Sequence, residues 1–568
     1  MKYSKRYIAF IMIMAIAFFV KFNTFSESNQ EVESFRGAEL VAETWNPLIA
    51  ESVNDNLLSV VIDNKEYTNE NYHFYMDENL NIMVPVSILR DALNCSAHVY
   101  NDDKLLVEKH STELFFSLNE NIVEVNGEEQ ATVSPLVMLE NEYYVSLSDL
   151  SNYLNYSYSW NISENKAQAA DVSESTTIIP AKYDLRDRAR VSTIRNQGSY
   201  GTCWSFAALS ALESVLLPEE SMEFSVDHMT LNNGFSLTQN DGGEYTMGMA
   251  YLASWKGPVY EKDDPYGDEE TDESLVAVKH VQEMQIIDGK DYEKIKEAVF
   301  KYGGVQTSIY NALRSSQSRS AYYNRETSAY CYIGTEKPNH DVVIIGWDDN
   351  YSKDNFSMDL EGDGAFICQN SWGDEFGDDG IFYISYYDTN VGTHNVVYTG
   401  IEDVDNYDNI YQSDLCGWVG QLGYNKESVY GANVYTAGGD ENLEAVSFYA
   451  TGKDSEYEIF VVRNFVDESS LQNKIPVASG KLSNAGYYTI ELNQQVSVEA
   501  GERYAVVLHI TTPGAVHPLA IEYDADIATK NVVLDDGEGY ISANGYKWEN
   551  VNQVEECNLC IKAFSNNQ

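Results

Sequence analysis

Cys203 stands between a glycine-rich loop and a segment with the periodicity of a helix. The loop covers 196–202, and the helix is predicted over 204–217. The N-terminal end of a helix favours negative charge, so this position helps to hold the thiolate that makes a cysteine nucleophilic. Because free cysteines are mostly buried and unreactive, the placement alone leaves a structural thiol open as the alternative. The residues expected on the buried face of the helix are Phe206, Leu209 and Leu216.

Three further side chains supply what a nucleophilic cysteine requires. His340 begins an apolar strand, and we expect it to face a cleft at the strand's end as the general base. Asn370 follows another apolar run, and its side-chain carbonyl can accept the far imidazole N–H and so fix the tautomer. Gln197 precedes Cys203 by six residues, and its amide can donate to an oxyanion beside the Cys203 backbone N–H. Together these side chains predict acyl transfer at a carbonyl carbon.

The segments that carry these residues resemble the papain family of cysteine peptidases in their order and context. The segments are 196–207, 340–347 and 369–373. The resemblance implies a two-lobed peptidase domain over 181–400, with Cys203 in a helical lobe, His340 and Asn370 in a β-barrel-like lobe, and a cleft between the lobes. It also implies hydrolysis of protein or peptide substrates through a thiolate–imidazolium pair, without a cofactor.

Four further residues, Gly242, Gly243, Asp341 and Trp372, are expected at the substrate-binding site. Gly242 and Gly243 match the glycines that contact the substrate backbone, and Trp372 is expected to shield the hydrogen bond between the base and its orienting residue. Asp341 follows the base where the family usually has a small residue, and Glu244 follows the paired glycines. Both acidic residues are expected at the pocket for the second residue before the scissile bond. We therefore predict that this pocket accepts or prefers basic side chains.

Other features depart from the family's usual pattern. Tyr200 stands where a cysteine is usual, which removes a disulfide beside the nucleophile, and Thr202 replaces a serine. Asn370 follows Cys203 by 167 residues, beyond the usual spacing of roughly 130–150 residues, and an acidic insertion over 348–363 is predicted to lengthen a hairpin. Two other histidines, His228 and His394, are rivals for the base, and we expect both to be ordinary surface or core residues.

The composition of the chain excludes some classes of partner. The formal net charge is −53, and phosphate binding needs Lys and Arg, so no nucleic acid is expected as a partner. The acidic residues indicate a solvated surface, with calcium binding as the alternative. The Asp- and Gly-rich stretches 361–364 and 374–380 lack EF-hand spacing, so neither a metal site nor a cofactor is predicted.

The beginning of the chain has the pattern of an export signal. Lys2, Lys5 and Arg6 precede an apolar run over 7–20, which is too short for a typical membrane span. Residues 1–30 are therefore predicted to be a signal peptide, with an uncleaved N-terminal anchor as the alternative. Either reading predicts a secreted or cell-surface protein.

An internal repeat occupies 57–170. The sequence around 84–94 resembles that around 145–155, and each copy combines an extended apolar start, a short helix and alternating aromatic strands. This segment resembles the small α+β module named after the N-terminal domain of copper amine oxidases. The name implies no copper here, because His73, His98 and His110 are scattered. Residues 163–180 fit either a linker or a cleavage zone.

The last part of the chain, 408–565, has the pattern of a β-sandwich. Apolar and polar residues alternate over 488–492 and again over 504–508, on either side of a turn at 500–501. The stretch 411–418 resembles the opening of a lectin-like domain found after such peptidases. A domain that binds cell-wall or other glycans and a purely structural accessory domain both remain open.

The predicted architecture is a multidomain α+β protein, in which a small α+β repeat module precedes the two-lobed peptidase and a β-sandwich follows it. The seven cysteines are too few for a disulfide framework, and Cys557 and Cys560 are expected in a structural strand. The leading function is a cysteine endopeptidase. One alternative is a cell-wall amidase or endopeptidase with a Cys–His site. The other is a catalytically silent surface adhesin or carbohydrate-binding protein, and the complete set of four catalytic residues argues against it.

Overall fold

The structure is a computed structural model of the chain. No helix in the described part is long and apolar enough to cross a membrane. The predicted signal segment, 1–30, lies outside the described residues, as do His110 and most of the stretch 163–180. The described residues are 58–62, 65–68, 72–77, 81–93, 95–100, 103–109, 112–139, 142–154, 156–161, 166–171, 179–313 and 319–568.

The N-terminal module contains three small sheets around its own apolar core. The strand orders are β12-β13-β1-β2, β10-β11-β4-β3 and β5-β6-β7-β8-β9. The elements are β1 (Ser59–Ile62), β2 (Lys65–Thr68), β3 (Tyr75–Met76), β4 (Ile82–Pro85), α1 (Ser87–Asp91), β5 (Ser96–Tyr100), β6 (Lys104–Lys109), β7 (Thr112–Ser117), β8 (Ile122–Val125), β9 (Glu128–Ala131), β10 (Val137–Leu139), β11 (Glu142–Ser146), α2 (Leu147–Tyr153), β12 (Tyr156–Asn161) and β13 (Lys166–Asp171).

The internal repeat appears in the structure as two strand–helix–strand units. β4, α1 and β5 form one unit, and β11, α2 and β12 form the other. The first strands of the two units pair antiparallel, with Val145 opposite Val84. Both valines are fully buried, so each unit covers an apolar face that the other would expose.

The predicted peptidase domain packs a central helix against a mostly antiparallel sheet, in which only the pairing of β18 with β21 is parallel among the described strands of this domain. The sheet order through this domain is β17-β18-β21-β20-β19-β16-β22-β15, and β14 pairs with β19. The elements are β14 (Lys182–Asp184), α3 (Cys203–Leu216), α4 (Val226–Leu231), α5 (Tyr245–Ala253), β15 (His280–Ile287), α6 (Tyr292–Lys301), β16 (Val305–Ile309), β17 (Tyr323–Asn324), β18 (Ala329–Tyr330), β19 (His340–Asp348), β20 (Ala365–Gln369), β21 (Ile381–Ser385) and β22 (Asn395–Glu402).

Helix α3 is buried on nearly all sides, which corrects the prediction of one buried face. Ser205, Ser210 and Glu213 are buried along with the apolar residues. Glu213 is tolerated there because Arg195 Nη2 donates to its carboxylate at 3.0 Å and the Phe224 N–H donates at 2.9 Å. The helical periodicity of the sequence could not predict that Glu213 is buried, because its charge partner, Arg195, comes from another segment.

The predicted insertion lies at the end of the hairpin that joins β19 and β20. These strands pair antiparallel, from Val343 opposite Gln369 to Asp348 opposite Ala365. The connection packs Phe356 and Leu360 into a small apolar cluster with Ala329 and Cys331. The insertion therefore lengthens the far end of the hairpin and leaves the strand ends that carry His340 and Asn370 in place.

The C-terminal domain is a β-sandwich, and one of its sheets continues into the peptidase domain. β15 pairs antiparallel with β29, with Met284 opposite Tyr487. The second sheet has the order β28-β27-β30-β25-β32-β33. The elements are β23 (Asn409–Tyr411), β24 (Gly420–Leu422), β25 (Ser428–Thr436), β26 (Glu441–Ala450), β27 (Ser455–Val462), β28 (Ile475–Leu482), β29 (Ala485–Val498), β30 (Arg503–Thr511), β31 (Leu519–Glu522), β32 (Gly539–Ser542), β33 (Glu549–Asn550), α7 (Val551–Val554), β34 (Asn558–Leu559) and β35 (Ile561–Asn567).

The N-terminal module contacts the peptidase domain near the C-terminal end of α3. His98 Nδ1 lies 2.8 Å from the Glu219 carboxylate, and Arg90 Nη2 donates to the same carboxylate at 2.9 Å. Arg188 forms ion pairs with two glutamates of the module. Cys203 is at the opposite end of this helix, about 20 Å away at the usual rise per residue. These contacts therefore lie far from the candidate nucleophile.

Candidate active site

His340 and Asn370 form a buried hydrogen-bonded pair. His340 Nε2 lies 2.8 Å from Asn370 Oδ1, and this oxygen also accepts from the Ser371 N–H at 2.9 Å. Because Oδ1 accepts both bonds, Nε2 is the protonated nitrogen of the neutral imidazole. Nδ1 is then left as the basic nitrogen. The asparagine thus fixes the tautomer that a general base needs.

Cys203 is the first residue of α3 and is partly exposed. Burial raises the pKa of the Cys203 thiol to about 12, and the Asp341 carboxylate raises it further. The backbone N–H groups of Asp341, Trp204 and Cys203 itself face the sulfur and act in the opposite direction, lowering this pKa. The Cys203 sulfur therefore lies beside Asp341, the residue that follows His340.

Burial also controls the charge of the imidazole. It lowers the pKa of His340 to about 4, while the hydrogen bond to Asn370 acts in the opposite direction. The Trp372 ring covers the imidazole, with 5.5 Å between ring centroids. Among the described residues, the Cys203 sulfur and the His340 ring share no hydrogen bond. Such bonds are often long before a substrate is bound.

Gln197 is held in the loop that precedes Cys203. Its Oε1 accepts from Ser371 Oγ at 2.7 Å, and its Nε2 donates to the Tyr200 carbonyl at 2.8 Å. A side-chain amide has two N–H donors, so one remains for a ligand. The Gln197 N–H also donates to the Ser371 carbonyl at 2.8 Å. The loop is thus tied to the segment that carries Asn370.

Tyr266 supports the same loop in a way that the sequence did not reveal. Its hydroxyl donates to the Gln197 carbonyl at 2.8 Å and lies 2.8 Å from Thr202 Oγ1. Its ring packs edge-on against Phe206, with 4.8 Å between centroids. Tyr200, which stands at the family's usual cysteine position, packs against Tyr266 at 6.3 Å. Aromatic packing thus surrounds the loop where the disulfide is missing.

The paired glycines lie against the catalytic loop and helix. A Cβ on Gly243 would come within 2.4 Å of the Trp204 indole, and Gly242 has a φ of +84°. A larger residue at either position would therefore be strained or would collide with its neighbour. Because neither glycine has a side chain, the backbone beside Cys203 stays accessible to a ligand.

Asp341 is buried and forms part of a polar cluster. Gln306 Nε2 donates to its Oδ2 at 2.8 Å, and the Ser308 side chain is a second hydrogen-bond partner. Burial and the Glu244 carboxylate raise the pKa of Asp341, whereas His394 lowers it. His394 is exposed and its ring lies 5.6 Å from that of Tyr245. Sequence patterns did not indicate Gln306, Ser308 or Tyr245, because these residues come from separate elements.

The other histidine considered as the base and the remaining cysteines are buried. His228 is fully buried, and its Nδ1 lies 2.6 Å from the Tyr251 hydroxyl. Cys203 is partly exposed, and the other six cysteines are buried. No group of three or more His, Cys, Asp or Glu side chains in the described ranges has the arrangement of a metal site.

Comparisons with known proteins give the same three-part organisation. The model of the copper amine oxidase N-terminal domain matches 60–169, that of the papain family cysteine protease matches 179–401, and that of the lectin-like domain matches 410–565. Bovine (Bos taurus) pro-cathepsin H is 26% identical over 246 residues, which are 42% of this chain and 70% of the relative. The chain spans 56–70% of the length of the first curated relatives it matches.

Two solved structures extend the similarity beyond the peptidase domain. The clostridial cysteine protease Cwp84 after propeptide cleavage is 29% identical with a TM-score of 0.60, covering 68% of this chain and 99% of that one. The cysteine protease and lectin-like domains of Cwp84 from Clostridium difficile are 27% identical with a TM-score of 0.60, covering 70% and 90%. The predicted fold class is thereby confirmed. Residues 179–401 are a cysteine peptidase domain of the papain family, a hydrolase, preceded by a copper amine oxidase N-terminal domain and followed by a lectin-like domain.

Proposed function

We propose that this chain is an endopeptidase in which Cys203 is the nucleophile, His340 the general base, and Asn370 the residue that orients this base. One observation carries the proposal. The Asn370 side-chain carbonyl fixes the His340 proton on Nε2. Asp341, the residue after His340, directs its backbone N–H at the Cys203 sulfur. The basic Nδ1 is thereby available to the thiol.

The reaction follows from these positions. Cys203 loses its proton to His340 Nδ1, and the sulfur attacks the peptide carbonyl carbon. The oxyanion is stabilised by the Cys203 N–H and the free N–H of Gln197, each donor contributing about 3 kcal/mol. The C–N bond breaks as His340 protonates the leaving amine, and His340 then activates the water that releases the acyl group.

Burial opposes separate ionisation of the two groups, so the proton must move between them. An isolated thiolate or imidazolium is disfavoured in this position, as the raised pKa of Cys203 and the lowered pKa of His340 indicate. A transfer from sulfur to Nδ1 creates opposite charges side by side, which attract strongly where water is excluded. The N–H groups at the start of α3 further stabilise the sulfur anion. The pair is therefore expected to ionise together.

The acidic cluster around Asp341 supports a pocket that accepts basic side chains. Glu244 lies close enough to raise the pKa of Asp341, and Glu244 is exposed. We propose that Gly242 and Gly243 bind the substrate backbone, that Trp372 shields the His340–Asn370 hydrogen bond, and that Asp341 faces the second residue before the scissile bond. A Lys or Arg side chain would then meet two carboxylates.

Asp341→Asn is expected to weaken the preference for Lys or Arg at this position about tenfold. It should also shift the acidic limb of the pH–kcat/KM profile to lower pH. The physical reason is that the Asp341 carboxylate raises the pKa of Cys203, so its removal lets the thiol ionise at lower pH. Peptide-library cleavage and pH profiles would measure both effects. Glu244→Gln is the comparison variant: it removes the other carboxylate of the pocket and keeps Asp341, so it should weaken the basic preference and leave the pH profile unchanged. A parent profile with only bulky apolar residues at this position would contradict the pocket assignment.

We propose a location outside the cell, at the surface. The N-terminal apolar run supports export, and Cwp84, to which this chain is similar, is described as a surface layer associated protein. The substrates are then extracellular proteins or peptides. The lectin-like domain is a candidate for contact with cell-wall glycans.

The function is tested by labelling the full chain with an epoxide inhibitor of thiol proteases. We expect one adduct, on Cys203, and loss of peptide-library cleavage in proportion to labelling, because the other six cysteines are buried. Peptide mapping by mass spectrometry locates the adduct. A folded protein that cleaves no peptide and takes up no inhibitor would instead favour the alternative, a catalytically silent surface adhesin or carbohydrate-binding protein.

A further inference from the structure

The loop 232–244 separates the catalytic loop from the lectin-like domain. On its inner side, the Gly201 N–H donates to the Gln239 carbonyl at 2.8 Å. A Cβ on Gly201 would come within 2.9 Å of Gly242, so the two backbones are in close contact. Gly201 is two residues from Cys203. This loop is therefore one wall of the region beside the nucleophile.

The lectin-like domain contacts the outer side of the same loop at several points. The Ser236 N–H donates to the Ala528 carbonyl at 2.7 Å, and Cys416 Sγ lies 3.5 Å from the Gly234 carbonyl. Lys530 is close enough to Asp241 to contribute to the lowered pKa of that carboxyl, whose largest cause is hydrogen bonding to Thr238. The loop 524–534 of the lectin-like domain thus adjoins the residues that lead into Gly242 and Gly243.

Apolar side chains flank the hydrogen bond that joins the two domains. Ile527, next to Ala528, is 69% exposed. Phe235 and Leu237, on either side of Ser236, are partly exposed while packing against the peptidase core. Since Ser236 and Ala528 are bonded to each other, the residues next to them in the sequence lie near this junction. We call Phe235, Leu237 and Ile527 the junction patch.

We infer that the lectin-like domain supplies part of the substrate-binding cleft. The inference rests on the proposed function. A peptide bound along Gly242 and Gly243 advances about 3.3 Å per residue in extended form, so its residues farther from the scissile bond continue along the loop 232–244. The junction patch binds an apolar side chain among the third to fifth residues before the scissile bond. The partner is thus an extended peptide with an apolar residue at this distance.

The test compares Ile527→Asp in the full chain with the parent on a peptide library that varies the five residues before the scissile bond. We expect kcat/KM for peptides with an apolar third, fourth or fifth residue to fall about tenfold, because a carboxylate that the bound peptide covers would replace an apolar contact. The preference at the second residue should not change. Val466→Asp is the matched control, since Val466 is a 75% exposed apolar residue elsewhere in the lectin-like domain.

The outcomes separate this inference from the proposed function. If the parent cleaves the library and Ile527→Asp gives the same profile at every position, the junction patch is not a subsite, although the peptidase assignment stands. Equal losses in Ile527→Asp and Val466→Asp would also overturn the inference, as would a loss confined to the second residue. If the parent cleaves nothing and resists the epoxide inhibitor, the proposed function fails and the inference fails with it.

Discussion

Cys203→Ala is expected to lower kcat/KM for peptide cleavage by at least about ten-thousandfold, with the fold intact. Alanine removes the sulfur that would form the acyl intermediate, and no other thiol is available because the remaining six cysteines are buried. The oxyanion donors and the base would remain, so a small residual rate above the uncatalysed reaction is expected. Steady-state cleavage of a fluorogenic peptide measures the loss.

Cys557→Ala is the matched control for this variant. Cys557 is a buried thiol in the lectin-like domain, and its replacement should leave kcat/KM unchanged. Thermal unfolding of both variants would show whether each retains the parent structure. A Cys203→Ala protein that is folded and still cleaves peptides at near the parent rate would rule out Cys203 as the nucleophile.

Gln197→Ala is expected to reduce kcat by about a hundredfold to a thousandfold, with little change in KM. In the proposed mechanism, the free N–H of the Gln197 amide faces an oxygen that becomes negative only during the reaction. The amide is held by Ser371 Oγ at 2.7 Å and by the Tyr200 carbonyl at 2.8 Å. Separate determination of kcat and KM on one peptide distinguishes transition-state stabilisation from binding.

Ser371→Ala provides a graded comparison for the Gln197 variant. It removes the hydrogen bond that orients the amide and keeps the amide itself, so we expect a smaller loss in kcat, about tenfold. If Gln197→Ala raised KM and left kcat intact, Gln197 would be a binding residue and would not stabilise the oxyanion. Equal effects of both variants would show that orientation of the amide accounts for its whole contribution.

The local surroundings of the candidate catalytic residues could be predicted from the sequence because each depends on its own segment. Cys203 lies at the start of a helix because a glycine-rich loop precedes a helical run, and His340 begins a strand because an apolar run follows it. The hydrogen bond between His340 and Asn370 was expected from the same reasoning, and the two residues lie at neighbouring strand ends.

Contacts between segments that are far apart in the sequence could not be predicted in this way. Tyr266 supports the loop of Gln197 across 69 residues, and Gln306 reaches Asp341 across 35. The burial of Glu213 depends on Arg195, which lies outside the helix. Sequence periodicity reports the environment of one element, whereas these pairings depend on how several elements pack together.

The pairing of β15 with β29 affects how the peptidase domain behaves when it is separated from the rest of the chain. A fragment that ends near residue 402 would lose the strand that satisfies the outer backbone groups of Glu283, Gln285 and their neighbours. Its sheet would then end in an open hydrogen-bonding edge, which is a template for self-association. Such a fragment is expected to aggregate, so a soluble minimal enzyme would have to keep the lectin-like domain.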